Sequence, residues 1–283
     1  MRKSITLRAF PAGMKTLERV EMARRAGYQG VEVNLEPAEE YTLDSSEREL
    51  AALRKEIEAR GMVVSAVYCR EQWRYPISSQ DASRCEQGRQ IIEQLVRAAP
   101  ILGTDTVLVV PGVVDNSVFV DPPEVIRYDL AYSMALSVIG ELARTVCEQY
   151  QVCLALENVW GKFLLSPLEF ARFIDAAGSR WVGAYFDVGN VLRTGYPEHW
   201  IPSLGQRIKR VHFKDFRQSV GNLQGFVNLL EGDVNWPAVR SALEEIGYDS
   251  WVTAEVLPAY RFHGERLVRE TSASIDAILG IER

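Results

Sequence analysis

Short apolar runs alternate with longer amphipathic stretches along the whole chain. Residues 5–10, 30–35, 62–68, 106–110, 152–156, 181–186, 208–211 and 251–254 read as strands, rich in β-branched and aromatic residues. Between and after them, 15–26, 43–60, 81–102, 128–150, 166–177, 200–204, 236–246 and 265–279 carry the spacing of helices. The punctuation agrees with this. Gly27, Gly61 and Gly247 stand just past helix ends. Asp44 is placed as the N-cap of the second helix, and Ser166-Pro167 as N-cap and first position of the fifth. Strand followed by helix, eight times, is the pattern of a closed (β/α)8 TIM barrel, α/β in class. An open doubly wound sheet is the competing arrangement. It favours a Gly-rich first turn, whereas the first turn here is Phe10-Pro11-Ala12-Gly13.

The length of 283 residues suits one barrel, which needs about 250. No Pro/Gly/Ser linker divides the chain, so a single domain over 1–283 is expected. Three strand-to-helix connections are long: 69–80, 111–127 and 216–235. Each comes after a strand and so belongs on the face where barrel enzymes carry their sites.

The residues that close the last four strands change the picture. Strand five ends at Glu157, strand six at Asp187, strand seven at His212 and strand eight at Glu255. In a parallel barrel these ends are neighbours on one rim. Three carboxylates brought together repel one another unless a cation neutralises them. An oxygen-rich donor set with one imidazole and no thiolate suits Mn²⁺ first, with Mg²⁺, Co²⁺ or Zn²⁺ as alternatives. A divalent ion there polarises a ketose carbonyl. Glu157 and Glu255 would then be the acid/base pair that moves the neighbouring proton. Trp160 stands shortly after the first ligand and is a candidate wall over the sugar. His199 and His263 lie in loops without convergent partners and are read as surface or structural residues.

Composition narrows the partners. The chain is 47% hydrophobic and 25% charged, with a net charge of −6 and a pI near 5.3. No basic block exceeds short pairs such as Arg24-Arg25, which argues against nucleic acid and anionic membrane. No apolar run is expected to approach the length of a membrane span. Cys69, Cys85, Cys147 and Cys153 form no CxxC pair and are expected as buried thiols. The N-terminus carries no signal-peptide pattern, so the cytoplasm is the expected location.

The stretches Ala155-Leu156-Glu157-Asn158, Phe186-Asp187-Val188-Gly189-Asn190, Val211-His212-Phe213-Lys214-Asp215 and Glu231-Gly232-Asp233-Val234-Asn235-Trp236 resemble the xylose-isomerase-like sugar phosphate isomerase/epimerase family. Within it they are most similar to the L-xylulose-5-phosphate 3-epimerase branch, as is Arg74-Tyr75-Pro76-Ile77-Ser78-Ser79. D-tagatose 3-epimerase and endonuclease IV are more distant. The resemblance implies one divalent metal on Glu157, Asp187, His212 and Glu255, with the two Glu as acid/base. It further implies a sugar or sugar-phosphate substrate and a homodimer or homotetramer. The free-ketose epimerases hold substrate with a Glu and a His where this chain has Phe163 and Asn190. Asn190 is therefore a candidate substrate contact of altered character. Arg8, Arg70, Arg74, Lys162, Lys214 and Arg217 sit near strand ends or in rim loops. Of these, Arg74 and Lys214 are the chosen candidates for a phosphate handle. A lyase acting on a keto-inositol or keto-sugar, or cleaving C-glycosides, is the alternative activity. An endonuclease IV-like enzyme needs more metal ligands than three His residues and an acidic pI allow.

Overall fold

The computed structural model describes residues 1–11, 13–256, 260 and 262–281. In chain order the strands are β1 (Arg2–Thr6), β2 (Gly30–Asn34), β3 (Val63–Tyr68), β4 (Thr106–Val109), β5 (Cys153–Glu157), β6 (Val182–Asp187) and β7 (Ile208–Phe213). Next come two short strands, β8 (Asp215–Phe216) and β9 (Phe226–Val227), and then β10 (Trp251–Ala254). All except β8 and β9 close into a parallel barrel of order β1-β10-β7-β6-β5-β4-β3-β2. β2, β5 and β6 are buried along their whole length, as expected of strands covered on both faces. The eightfold rhythm of the sequence is thus the closed barrel it suggested.

The details that differ have local causes. The first strand spans Arg2–Thr6 rather than 5–10. Beyond it the Thr6 hydroxyl accepts from the Arg8 amide and Leu7–Ala9 turn as a 3₁₀ segment. The second helix starts at Glu47, not at residue 43. Its N-cap is Ser46, not Asp44, because Ser46 and Glu49 bond each other's backbone amides in a capping box. The short helix before β7 begins at Pro197, and the adjoining Val188–Val191 turn is also helical. The stretch 128–150 is one continuous helical segment whose length and apolar composition match those of a membrane span. In the barrel it is an outer helix that buries Ala131, Ala135, Ile139 and Leu142. Cys69, Cys147 and Cys153 are buried, Cys85 is half-buried, and all four are free thiols.

Two of the long connections are tightly built. β8 and β9 pair as an antiparallel ribbon at the start of the connection that follows β7. The Asp215 carboxylate anchors the rest of that connection. It accepts from the amides of Phe216 (2.9 Å), Leu230 (2.9 Å) and Val234 (3.3 Å) and from the Trp236 indole (3.0 Å). Gly232 leaves room for it, since a Cβ there would stand 2.1 Å from Asp215 Oδ1. The Glu231-Gly232-Asp233 motif is therefore a loop-building device. In the 111–127 connection, the Asn116 side chain plays the same part, donating to the Trp73 carbonyl at 3.1 Å and accepting from the Glu124 amide at 2.7 Å. Gly232→Ala is expected to cost about 1–3 kcal/mol by forcing the Asp215 carboxylate aside. A urea melt reads this directly, and an unchanged midpoint would refute the assignment.

Candidate metal and active site

The barrel brings Glu157, Asp187, His212 and Glu255 together. One ligand atom from each lies within 4.8 Å of all the others. Glu157 and Asp187 are the last residues of β5 and β6, His212 is the penultimate residue of β7, and Glu255 comes directly after β10. The arc of strands β5-β6-β7-β10 thus sets the side chains side by side in the order Glu157, Asp187, His212, Glu255. His212 Nδ1 faces the group, 3.1 Å from Glu157 Oε1, 3.6 Å from Glu255 Oε2 and 3.8 Å from Asp187 Oδ2.

Local contacts hold the Asp187 segment in place. The Asn158 amide pairs reciprocally with the Asp187 backbone, accepting from its N–H and donating to its carbonyl, both at 2.8 Å. Asp187 Oδ1 accepts from the Asn190 amide at 2.8 Å. Its other oxygen, Oδ2, is buried without a hydrogen-bond partner. Gly189 permits the turn to press on β7, since a Cβ there would be 2.7 Å from the Lys214 carbonyl oxygen.

Beneath the group lies a residue that the pattern of strand ends does not reveal. Glu32 of β2 is buried, and its Oε2 lies 3.0 Å from His212 Nε2. The same oxygen accepts from the Tyr185 hydroxyl at 2.7 Å. Glu32 therefore accepts from the Nε2 N–H, and loss of the other proton would free the Nδ1 lone pair for a cation, the arrangement of a carboxylate–histidine–metal triad. An acidic residue inside the otherwise apolar Gly30-Val31-Glu32-Val33 run is the only signal of it in the sequence.

The electrostatics fit a cation. Burial pushes the Asp187 carboxyl up to about 8, with Lys214 opposing and Glu255 and Glu157 adding to the rise. Burial likewise raises Glu157. Against burial, Glu32 and Glu157 hold the His212 proton far above the ordinary histidine range. Against burial, Lys214, His212 and Arg8 hold Glu255 well below the carboxylate range. The Asp187 oxygen without a hydrogen bond, the inward Nδ1 and the crowded carboxylates together match the donor set of a divalent ion.

The remaining candidates divide. Lys214 reaches into the group, with Nζ 2.7 Å from Glu255 Oε2 and 3.6 Å from Asp187 Oδ2. Trp160 and Asn190 line the cavity above it, and the Trp160 indole donates to the Asn190 carbonyl at 3.0 Å. The Asn190 side-chain amide is spent on the Asn158 carbonyl at 3.0 Å. Arg74 is not in this cavity. It lines an adjoining recess and lies over Tyr75, while Arg8 and Arg70 line the main cavity. His199 and His263 stand outside the group.

Two properties of the site are measurable. Glu32→Gln removes the charge behind the imidazole. It is expected to weaken Co²⁺ or Mn²⁺ binding by about 10-fold or more in titration calorimetry, and undiminished affinity would rule out the triad. In the metal-free protein, folded Asp187 and His212 hold protons that the unfolded chain releases. The folded state binds more protons from about pH 4 upward through about pH 8, so stability falls as pH rises across that window. Thermal melts at pH 6 and 8.5 should show this loss, and saturating Mn²⁺ should remove it. A flat metal-free profile would contradict the charge assignment.

Comparison with known proteins agrees with this architecture. The family model described as xylose isomerase-like TIM barrel matches residues 20–278. A protein of Escherichia coli K12, provisionally named L-ribulose-5-phosphate 3-epimerase SgbU, is 26% identical over 82% of this chain and 80% of its own length. An inosose dehydratase of Lacticaseibacillus casei is 27% identical over 52% of this chain and 53% of its own. A solved D-psicose 3-epimerase superposes with a TM-score of 0.81 at 17% identity, covering 99% of this chain and 100% of that one.

Proposed function

The chain belongs to the xylose isomerase-like TIM-barrel family, and on that premise we propose that it is a metal-dependent epimerase or isomerase of a keto-sugar or keto-sugar phosphate. The observation that carries this reading is the convergence of Glu157, Asp187, His212 and Glu255 within 4.8 Å at the C-terminal rim.

Asp187 Oδ2, His212 Nδ1 and one oxygen each of Glu157 and Glu255 would hold the ion, with Mn²⁺ the best match to the donor set. When bound, such an ion polarises the substrate carbonyl and stabilises the enediolate charge. The rest is the work of the side chains. Glu157 and Glu255 stand at opposite ends of the four-strand arc, with Asp187 and His212 between them. A substrate carbon held over the middle of the arc meets a carboxylate on either side. One removes the proton beside the carbonyl, and the other returns a proton to the opposite face. Return to the same carbon inverts it, whereas return to the carbonyl carbon exchanges ketose for aldose. Lys214 and Arg8, beside Glu255, offset the negative charge that gathers there. The walls of Trp160 and Phe226 limit water at the reacting carbon.

Elimination by the same proton abstraction is the second reading. The similarity to inosose dehydratase over half the chain favours it over others.

The test is solvent exchange. In D₂O with Mn²⁺, NMR of a panel of ketoses, ketose phosphates and keto-inositols is expected to show deuterium entering beside the carbonyl of one class. Glu255→Gln is expected to slow that exchange by about 10²–10⁴-fold, with metal content measured in parallel. Absence of exchange across the panel in metal-loaded protein would sink the proposal.

A further inference from the structure

The cavity over the four-residue floor has a volume of about 400 Å³. That lies within the roughly 300–1,000 Å³ of sites that enclose drug-sized ligands. Its floor is polar, but its walls are aromatic: Tyr68, Trp73, Phe119, Trp160 and Phe226 all line it. Trp73 and Phe119 meet edge to face with ring centroids 4.6 Å apart. These two residues also line a second recess of about 480 Å³, so the pair forms a doorway between the two spaces.

The doorway is held in place. The Trp73 carbonyl accepts from the Asn116 side-chain amide at 3.1 Å, and the Phe119 N–H donates to the Asn116 carbonyl at 3.1 Å. Phe119 is nevertheless 47% exposed, and Leu223, also at the cavity wall, is 42% exposed. Large apolar side chains kept open to water on two anchored loops, around one cavity, mark a place that apolar ligand surface covers.

Charge points the same way. Among the described residues, the cations lining the cavity are Arg8, Arg70 and Lys214. Lys214 is paired with Glu255 at 2.7 Å, and Arg8 lies 3.9 Å from Glu255 and 4.0 Å from Glu36. Beyond the doorway, Arg70 and Arg74 share the recess with Glu36, Glu71 and Asp121. A phosphate dianion there would meet more carboxylates than guanidiniums.

We propose that the substrate is a keto-sugar bearing a planar apolar substituent, an aryl glycoside in chemical class. Its sugar ring rests on the floor between Glu157 and Glu255, and its aryl group lies against Trp73 and Phe119. The sugar's position rests on the keto-sugar reading above, and the substituent rests on the aromatic doorway.

Titration calorimetry on the full-length Mn²⁺-loaded protein tests this with matched probes. Phenyl β-D-glucoside and methyl β-D-glucoside, each oxidised to the 3-ketone so that the sugar ring carries a carbonyl, are compared with each other, and D-ribulose 5-phosphate with D-ribulose. The expected result is a phenyl-over-methyl preference of about tenfold or more, falling towards one in Phe119→Ala. A thermal melt checks that the variant folds, and Leu223→Ala should narrow the ratio independently. A ratio near one in the unsubstituted protein overturns the proposal. So does a ratio that survives both substitutions, or a phosphate preference larger than the phenyl preference. Deuterium exchange into the keto-sugar panel on the same preparation separates the two claims. Exchange without phenyl preference sinks the substituent alone, whereas phenyl preference without exchange sinks the reaction alone.

Discussion

Four carboxylates, Glu32, Glu157, Asp187 and Glu255, are buried around a single imidazole, and the rest of the site is arranged about that fact. Charges out of water are tolerated only when paired, neutralised or metal-bound. His212 takes one carboxylate below and faces three above. Lys214 and Arg8 approach Glu255 from the side. One oxygen of Asp187 still has no hydrogen-bond partner. A closed barrel can sustain this because its strand ends are fixed by continuous parallel ladders. The repulsion cannot be relieved by the backbone moving apart, only by protons or by a cation.

The residues around the ligands serve that fixity. Asn158 locks the Asp187 backbone, Gly189 lets the next turn lie against β7, and Asp215 organises the loop beyond His212. Motifs that look chemical in the sequence thus separate into two kinds. Glu157, His212 and Glu255 line the cavity with Asp187 buried beside them, while Asn158, Asp215 and Gly232 hold the segments that carry or cover them. Lys214 belongs to the first kind, since its ammonium sits between Glu255 and Asp187 rather than out in the rim.

The floor and the walls answer different questions. Carboxylates on either side of a carbonyl-bearing carbon serve epimerisation, isomerisation and elimination alike, because all three begin with the same proton. Which compound arrives is decided by loops that vary independently of the barrel. Here those loops present Trp73, Phe119 and Leu223 to the cavity.

The alternation of apolar strands and amphipathic helices is enough to define eight units and their order, because burial on both faces imposes that pattern residue by residue. It is also enough to bring Glu157, Asp187, His212 and Glu255 together, since each stands at or next to the end of a strand and a barrel makes the ends of neighbouring strands adjacent. The start of the second helix is ambiguous in the sequence because Asp44 and Ser46 are both good caps, and only the reciprocal bond to Glu49 chooses between them. Glu32 stays hidden for a deeper reason. Its partners, His212 and Tyr185, are 180 and 153 residues away in the chain and reach it only across the barrel interior. The removal of Arg74 from the main cavity and the doorway of Trp73 and Phe119 are likewise decided by how loops fold over the rim. Local sequence carries periodicity and capping, whereas contacts between distant strands and loops exist only once the barrel has closed.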